Sequence, residues 1–161
     1  IQIAKLNGAY VYTTSSADWK LEKARELGAD EVINYNDVDF QEEIMKRTGK
    51  RGVDVVVEHV GGDFLDKSIR SLTRGGRLVT VGGTASYECT IQVNYIFHKE
   101  LQIIGSNSAT LRDMEAMMPL PASGALKPVI DRVFPLDEAA DAHRYLEEGK
   151  QSGKVILRIE H

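Results

Sequence analysis

The sequence predicts an α/β fold built on a parallel sheet, followed by a smaller α+β segment. Two observations carry that prediction. Five short β-branched runs, Ala9 to Thr13, Glu31 to Asn34, Val53 to Glu58, Arg77 to Val81 and Leu101 to Ile104, begin 22 to 24 positions apart. That interval holds a strand, a loop, a helix and a second loop, which is the crossover that parallel strands require. In addition, Val53-Asp54-Val55-Val56-Val57 has the near-continuous apolar character of a strand covered on both faces.

The remaining elements follow from caps and period. Ile1 to Gly8 reads as a helix stopped by glycine, with Ile1, Ile3, Ala4 and Leu6 turned inward, and no strand precedes it. A doubly wound sheet opens with a central strand and a glycine-rich turn ahead of its first helix, so the chain is expected to start inside that helix. Ser15 and Asp18 have capping-box spacing ahead of Leu21, Ala24 and Leu27, and Gly28 supplies a stop. Leu65, Ile69 and Leu72 form a helical stripe in the third unit, closed by Gly75-Gly76. After Gly105 the pattern changes. Leu111 to Met118 reads as helix, Pro119 and Pro121 interrupt it, and Val129 to Phe134 alternates like a strand. A helix with Asp137 as N-cap runs through Ala140 and Leu146 to Gly149, and Lys154 to Ile159 is the last strand. This tail need not join the main sheet.

Composition bounds the function. At 161 residues, with 42% apolar and 27% charged, the chain supports one core and a small appendage. A net charge of -4 excludes the clustered basic surface that polynucleotide binding needs, so nucleic acid is not an expected partner. No apolar run approaches the roughly 18 residues of a membrane span, and the N-terminus lacks a signal-peptide layout, so no membrane association and a cytoplasmic location are expected. The single cysteine, Cys89, excludes an internal disulfide and a multi-cysteine zinc cluster, and it reads as a small packing residue. His59, His98, His143 and His161 show no ligand spacing with other His, Cys or carboxylates, so no metal ligand is assigned. No Ser-His-Asp order or paired carboxylate stands out either, so no catalytic acid or base is assigned.

Several segments together resemble one known family. Ile1 to Leu6, Lys20 to Tyr35, Gly52-Val53-Asp54-Val55-Val56-Val57-Glu58-His59-Val60-Gly61, Gly75 to Gly83, Leu101 to Ser106 and Gly153 to Leu157 follow, in order, the segments after the glycine turn of medium-chain dehydrogenase/reductases. Glu58 to Gly61 and Tyr95-Ile96-Phe97-His98-Lys99-Glu100-Leu101 are similar to bacterial zinc-type alcohol dehydrogenases, with quinone oxidoreductases as near neighbours. The resemblance covers essentially the whole chain. It implies a Rossmann-type doubly wound sheet lacking its first strand over residues 1–110. Residues 111–161 would form a return segment packed on a substrate domain that this sequence does not contain. The implied activity is NAD(P)(H)-dependent hydride transfer on an alcohol, carbonyl, quinone or enone, with any zinc supplied by the other half. The alternatives are a non-catalytic nucleotide-binding or structural fragment that needs a partner segment for its central strand, and a methyltransferase-like variant, which the ordered dehydrogenase motifs disfavour.

The candidate cofactor contacts lie at strand ends. Where an NAD-preferring protein places a carboxylate against the ribose, Thr13-Thr14-Ser15-Ser16 has none. The hydroxyls of Thr14, Ser15 and Ser16, with Lys20 one helical turn on, suit a 2′-phosphate and favour NADP(H) over NAD(H); alternatively a serine caps the helix and Lys20 is solvated. The resemblance places Tyr35 against the adenosine phosphate, with a loop tyrosine as the alternative. Val60, Gly61 and Gly62, after His59, and Val81, Gly82 and Gly83, before Thr84, end successive strands on the edge where open α/β sheets bind ligands. In the family these loops contact ribose and nicotinamide; ordinary turn glycines are the alternative. Ser106 and Asn107, with Ser108, follow the last strand and either approach the nicotinamide or form a polar turn. Leu101 to Ile104, as the last strand, is the expected homodimer edge.

Overall fold

The structure is a computed structural model and describes residues 1–159. In chain order the elements are α1 (Gln2–Leu6), β1 (Tyr12–Ser15), α2 (Asp18–Glu26), β2 (Glu31–Asn34), α3 (Phe40–Arg47), β3 (Val53–Glu58), α4 (Asp63–Arg70), β4 (Leu72–Thr80), α5 (Val93–His98) and β5 (Gln102–Gly105). The tail adds α6 (Leu111–Met117), α7 (Pro119–Ala122), β6 (Ile130–Pro135), a 3-10 turn (Leu136–Glu138), α8 (Ala139–Glu147) and β7 (Lys154–Arg158). Among the described residues no helix is long and apolar enough to cross a membrane.

All strand pairings are parallel, as the spacing of the runs requires. β1 pairs with β2, β4 lies between β3 and β5, and β6 pairs with β7 in a sheet of its own. In the doubly wound order 3-2-1-4-5-6, the first two strands occupy places 2 and 3, the next three occupy places 4 to 6, and the place between belongs to the first strand of that order. β1 and β3 therefore each keep one hydrogen-bonding edge without a strand partner among the described residues. The β6–β7 sheet extends neither the β1–β2 pair nor the three-stranded sheet.

Three apolar clusters hold the helices to the strands. Leu21 and Ala24 of α2 pack with Val11, Ala29 and Val32, and Ala4 of α1 joins them. Ile69 of α4 packs with Leu72, Leu78 and Leu101 beneath the three-stranded sheet. Ile33, Phe40 and Ile44 form a third cluster against Val53 and Phe64, so side chains of β3 and α4 bind the two sheets together where backbone bonds do not. Helix α3 is fixed at its start by Asp39, whose Oδ1 accepts from the N–H groups of Gln41 and Glu42 and whose Oδ2 lies 2.7 Å from Lys67 Nζ. Burial works to raise the Asp39 pKa, but the bonds from Lys67 and the backbone outweigh it and hold the carboxyl below its usual range.

Several sequence expectations need correction. Ser15 does not cap α2: it is still in β1, opposite Asn34, and the N-cap is Ala17 without a side-chain bond. Leu72 begins β4 instead of ending the helix, because α4 stops at Arg70 and the chain enters the sheet before Gly75 and Gly76. Asp137 sits inside the 3-10 turn, and Glu138 takes the N-cap position of α8. The break expected at Pro119 is present, since α6 ends at Met117, but both prolines then lie in the short α7, where proline fits a first helical turn. Of the four α1 residues expected to face inward, only Ala4 joins a core, and Ile1, Ile3 and Leu6 are exposed. β3 is not covered on both faces: Val55 and Val57 are 50% and 68% exposed, beside the edge that has no strand partner. Cys89 is exposed on a loop and packs in no core.

Candidate functional site

Parallel strands place all their C-terminal ends on one edge of a sheet, and the site residues read from the sequence gather there in two groups. The first group stands at the ends of β1 and β2. Ser15 accepts through its backbone oxygen from the Tyr35 N–H at 3.1 Å, and the Asn36 side chain donates to the Ser16 oxygen at 2.9 Å. Asn34 Nδ2 donates to Asp18 Oδ1 at 2.8 Å, which ties the end of β2 to the start of α2. Thr14 and Ser16 are exposed and Ser15 is half-buried, so a row of hydroxyl-bearing residues lines this end.

Two members of the first group are engaged elsewhere. Lys20 Nζ donates to the Gly149 oxygen at 2.9 Å and lies 5.1 Å from the centre of the Trp19 ring. Its ammonium thus already has an acceptor and an aromatic neighbour. The Tyr35 ring meets Phe64 edge-on at 5.0 Å, and Phe64 stacks on Phe40 at 5.7 Å. Tyr35 is thus a half-buried aromatic that helps to close the seam between the sheets. A cavity of about 60 Å³ adjoins this seam, lined by Tyr35, Val38, Phe40, Asp63, Phe64 and Lys67. A groove of about 580 Å³ between α2 and Lys127 to Asp131 contains none of the predicted site residues.

The second group joins β3, β4 and β5. The segment after β3 and the segment after β4 are fastened to each other. The Val81 N–H donates to the Glu58 oxygen at 2.9 Å, Thr84 N–H to His59 at 3.1 Å, Ala85 N–H to Val60 at 2.8 Å and Gly62 N–H to Ser86 at 3.2 Å. The Thr84 hydroxyl adds a bond to the His59 oxygen at 3.2 Å. Ser106 is drawn beside them, its N–H donating to Thr80 at 3.0 Å, while Asn107 and Ser108 follow on the surface.

The glycines of this group are needed for different reasons. Gly61 has φ +72°, and a Cβ built on it would stand 2.1 Å from the Ser86 oxygen. At Gly83 an added Cβ would meet the Tyr87 ring at 2.8 Å and the Ser86 oxygen at 2.9 Å. Both are therefore glycine because the chain packs against itself. Gly62 takes φ +53° as the N-cap of α4. At Gly82 a Cβ would meet only His59, at 3.4 Å or more, so the chain itself does not demand glycine there.

One residue was missed from the sequence. Glu58 closes β3 and is 4% exposed, and its Oε1 accepts from the N–H groups of Val60 at 2.7 Å and Gly61 at 3.0 Å. Its Oε2 is buried and has no partner among the described residues. The available signal was a carboxylate ending an apolar strand two residues short of a glycine pair, a position where solvation alone does not account for a charge. Among the described residues no group of three or more His, Cys, Asp or Glu is placed to hold a metal ion.

The family model described as zinc-binding dehydrogenase matches residues 1–123. An acryloyl-coenzyme A reductase of Metallosphaera sedula is 35% identical over 98% of this chain, which covers 46% of that relative. A solved NAD-dependent alcohol dehydrogenase superimposes with TM-score 0.92 at 39% identity, over 99% of this chain and 46% of the other. A 2-octenoyl-CoA carboxylase reductase solved with NADP and 2-octenoyl-CoA gives 0.90 at 29%, over 97% of this chain and 39% of the other. The chain spans about half the length of the relatives it matches. With parallel strands in doubly wound order, paired loops at their carboxyl edge and a family match over most of its length, this chain belongs to the zinc-binding dehydrogenases of the medium-chain dehydrogenase/reductase family.

Proposed function

We propose that this chain is the cofactor-binding portion of an NAD(P)(H)-dependent oxidoreductase acting by hydride transfer on an alcohol, carbonyl, quinone or enone. The observation that carries the reading is the fastening of the loops after β3 and β4 into one unit at the carboxyl edge, with the β5 end beside it. Such an edge is where open α/β sheets take their ligands. The residues present fit a dinucleotide. Gly82 lacks a side chain without being forced to by its neighbours, and Glu58 keeps a buried acceptor free. Val60, Gly61, Gly62, Val81, Gly82 and Gly83 would hold the nicotinamide and its ribose, with Ser106 and Asn107 near the ring. Thr14, Ser15 and Ser16 would take the adenosine ribose, with Tyr35 near its phosphate. When bound, the nicotinamide supplies or accepts the hydride. The chain's own residues bind it, orient it and keep water from its ribose side. Zinc does not fit the described residues, and no step here runs through it.

NADP(H) is the preferred cofactor in this reading, with NAD(H) possible. Support comes from the exposed hydroxyls of Thr14 and Ser16, from the absence of a carboxylate in β1, and from the NADP held by one relative. Lys20 reaches a 2′-phosphate by exchanging its bond to Gly149 for an ionic one. Titration by nucleotide fluorescence is expected to give NADPH about tenfold tighter binding than NADH, the equivalent of one charge-assisted contact. Lys20→Ala should remove most of that preference, and equal affinities in the unaltered chain would sink it. Saturable binding of neither nucleotide would remove the cofactor reading itself. It would favour a second one, a fragment completed by a partner strand, which the unpaired edges of β1 and β3 support.

In the same reading residues 1–110 form the dinucleotide unit, and residues 111–161 return to a catalytic half. β5 serves as a dimer edge: among the described residues only β4 pairs with it, and Ile103 and Ile104 are exposed. Sedimentation is expected to show a concentration-dependent dimer that Ile103→Lys abolishes. A monomer at all concentrations would count against it.

A further inference from the structure

The fold uses only half of the acceptor capacity of Glu58, at the carboxyl edge. A carboxylate that is 4% exposed needs its acceptors filled, because a buried unpaired oxygen forfeits its hydration without return. Oε1 is filled twice, by the N–H groups of Val60 and Gly61, and these bonds fix the turn that carries Gly61 against Ser86. Oε2 is filled by no described residue. The backbone around it is already committed: the Glu58 oxygen accepts from Val81, the His59 oxygen from Thr84 and the Val60 oxygen from Ala85. The N–H groups of Val81, Thr84 and Ala85 are thus committed to these oxygens and do not turn to Oε2.

We propose that the two oxygens of Glu58 have separate tasks: Oε1 shapes the Val60–Gly61 turn, and Oε2 accepts a hydrogen bond from a ribose hydroxyl of the bound dinucleotide. The inference rests on the reading of this edge as the cofactor site. The chemistry selects among the parts of such a ligand. A diphosphate has only acceptors and negative charge, so Glu58 repels it. A ribose offers hydroxyl donors, and a hydroxyl donating to a carboxylate makes one of the stronger hydrogen bonds available to a neutral group. The residue would thus favour the sugar over the phosphates at this end of the sheet and set the register of the cofactor along the edge.

Glu58→Gln separates the two tasks. The amide keeps the size of the side chain and one carbonyl oxygen for Val60 and Gly61, but it puts an NH₂ donor where Oε2 stands. The unfolding midpoint is expected to stay at the wild-type value, while the NADPH dissociation constant rises about tenfold to a hundredfold. In the wild type, NADPH analogues lacking one hydroxyl of the nicotinamide ribose should lose affinity by a similar factor, and in Glu58→Gln they should lose none beyond that of the variant. If the wild type binds NADPH and Glu58→Gln binds it equally well, Oε2 is not a ligand acceptor and only the shaping role stands. If the variant does not fold, the analogues on the wild type decide, and full affinity for every deoxy analogue overturns the assignment. If the wild type binds no NADPH, the cofactor reading fails first and takes this inference with it.

Discussion

Gly61→Ala is expected to lower stability by at least about 2 kcal/mol and to abolish nucleotide binding. The cost has two parts. A left-handed φ of +72° disfavours a Cβ by roughly 1–2 kcal/mol, and here the added atom would also stand 2.1 Å from the Ser86 oxygen. Backbone oxygen cannot rotate away as a side chain would, so the Gly61–Ser86 bridge must open, and the Gly62 N–H loses its partner at about 1 kcal/mol. With the bridge gone, the loops after β3 and β4 part, and the surface they build together is lost. Gly82→Ala is the matched control, since its Cβ would meet ordinary contacts and its effect on the urea midpoint should be slight. A Gly61→Ala midpoint equal to that of the unaltered chain would refute the packing account of this glycine.

Leu78→Ala is expected to cost about 2–5 kcal/mol, a large share of the roughly 5–15 kcal/mol that a domain commands. Leu78 is fully buried at the centre of the three-stranded sheet, in register with Val56 on one side and Ile103 on the other. It packs with Ile69 of α4, Leu72 of its own strand and Leu101 just before β5, and removal of its three outer carbons leaves a cavity among them. Val57→Ala, at a 68% exposed position on the neighbouring strand, should change stability by no more than about 0.5 kcal/mol. Denaturant unfolding of both variants tests the contrast, and equal losses would mean that the core does not lie beneath β4.

Much of this fold was legible because parallel α/β units write themselves into spacing. The runs at Glu31, Val53 and Leu101 fall on β2, β3 and the start of β5, and the carboxyl edge follows from direction alone. What escaped was decided by partners distant in sequence. Ser15 looked like a cap because Asp18 stands three residues on, yet the strand partner Asn34 holds Ser15 in β1 and the Asn34 side chain occupies Asp18. Lys20 looked free because its acceptor, the Gly149 oxygen, is 129 residues away. Real caps were also overlooked. Thr110 and Asp113 form a reciprocal capping box on α6, and Asp39 caps α3, both within ordinary local spacing. The two glycine pairs were readable as turns at strand ends, but not the different demands on them, since the need for Gly61 comes from Ser86 and that of Gly83 from Tyr87 and Ser86. Glu58 was hidden by its charge: a carboxylate is assigned to solvent until a structure places its oxygens.

α1 and the tail share a reciprocal clasp. Gln2 Nε2 donates to the Lys127 oxygen at 2.9 Å, and the Lys127 N–H donates back to Gln2 Oε1 at 2.8 Å, across 125 positions of sequence. One side chain thus imitates a rung of a β-ladder. Any displacement of α1 must carry Lys127 with it or break two bonds worth about 1 kcal/mol each. The end of that displacement lies at Val129 and Ile130, where β6 begins, so a tug on the first helix is a tug on the far sheet.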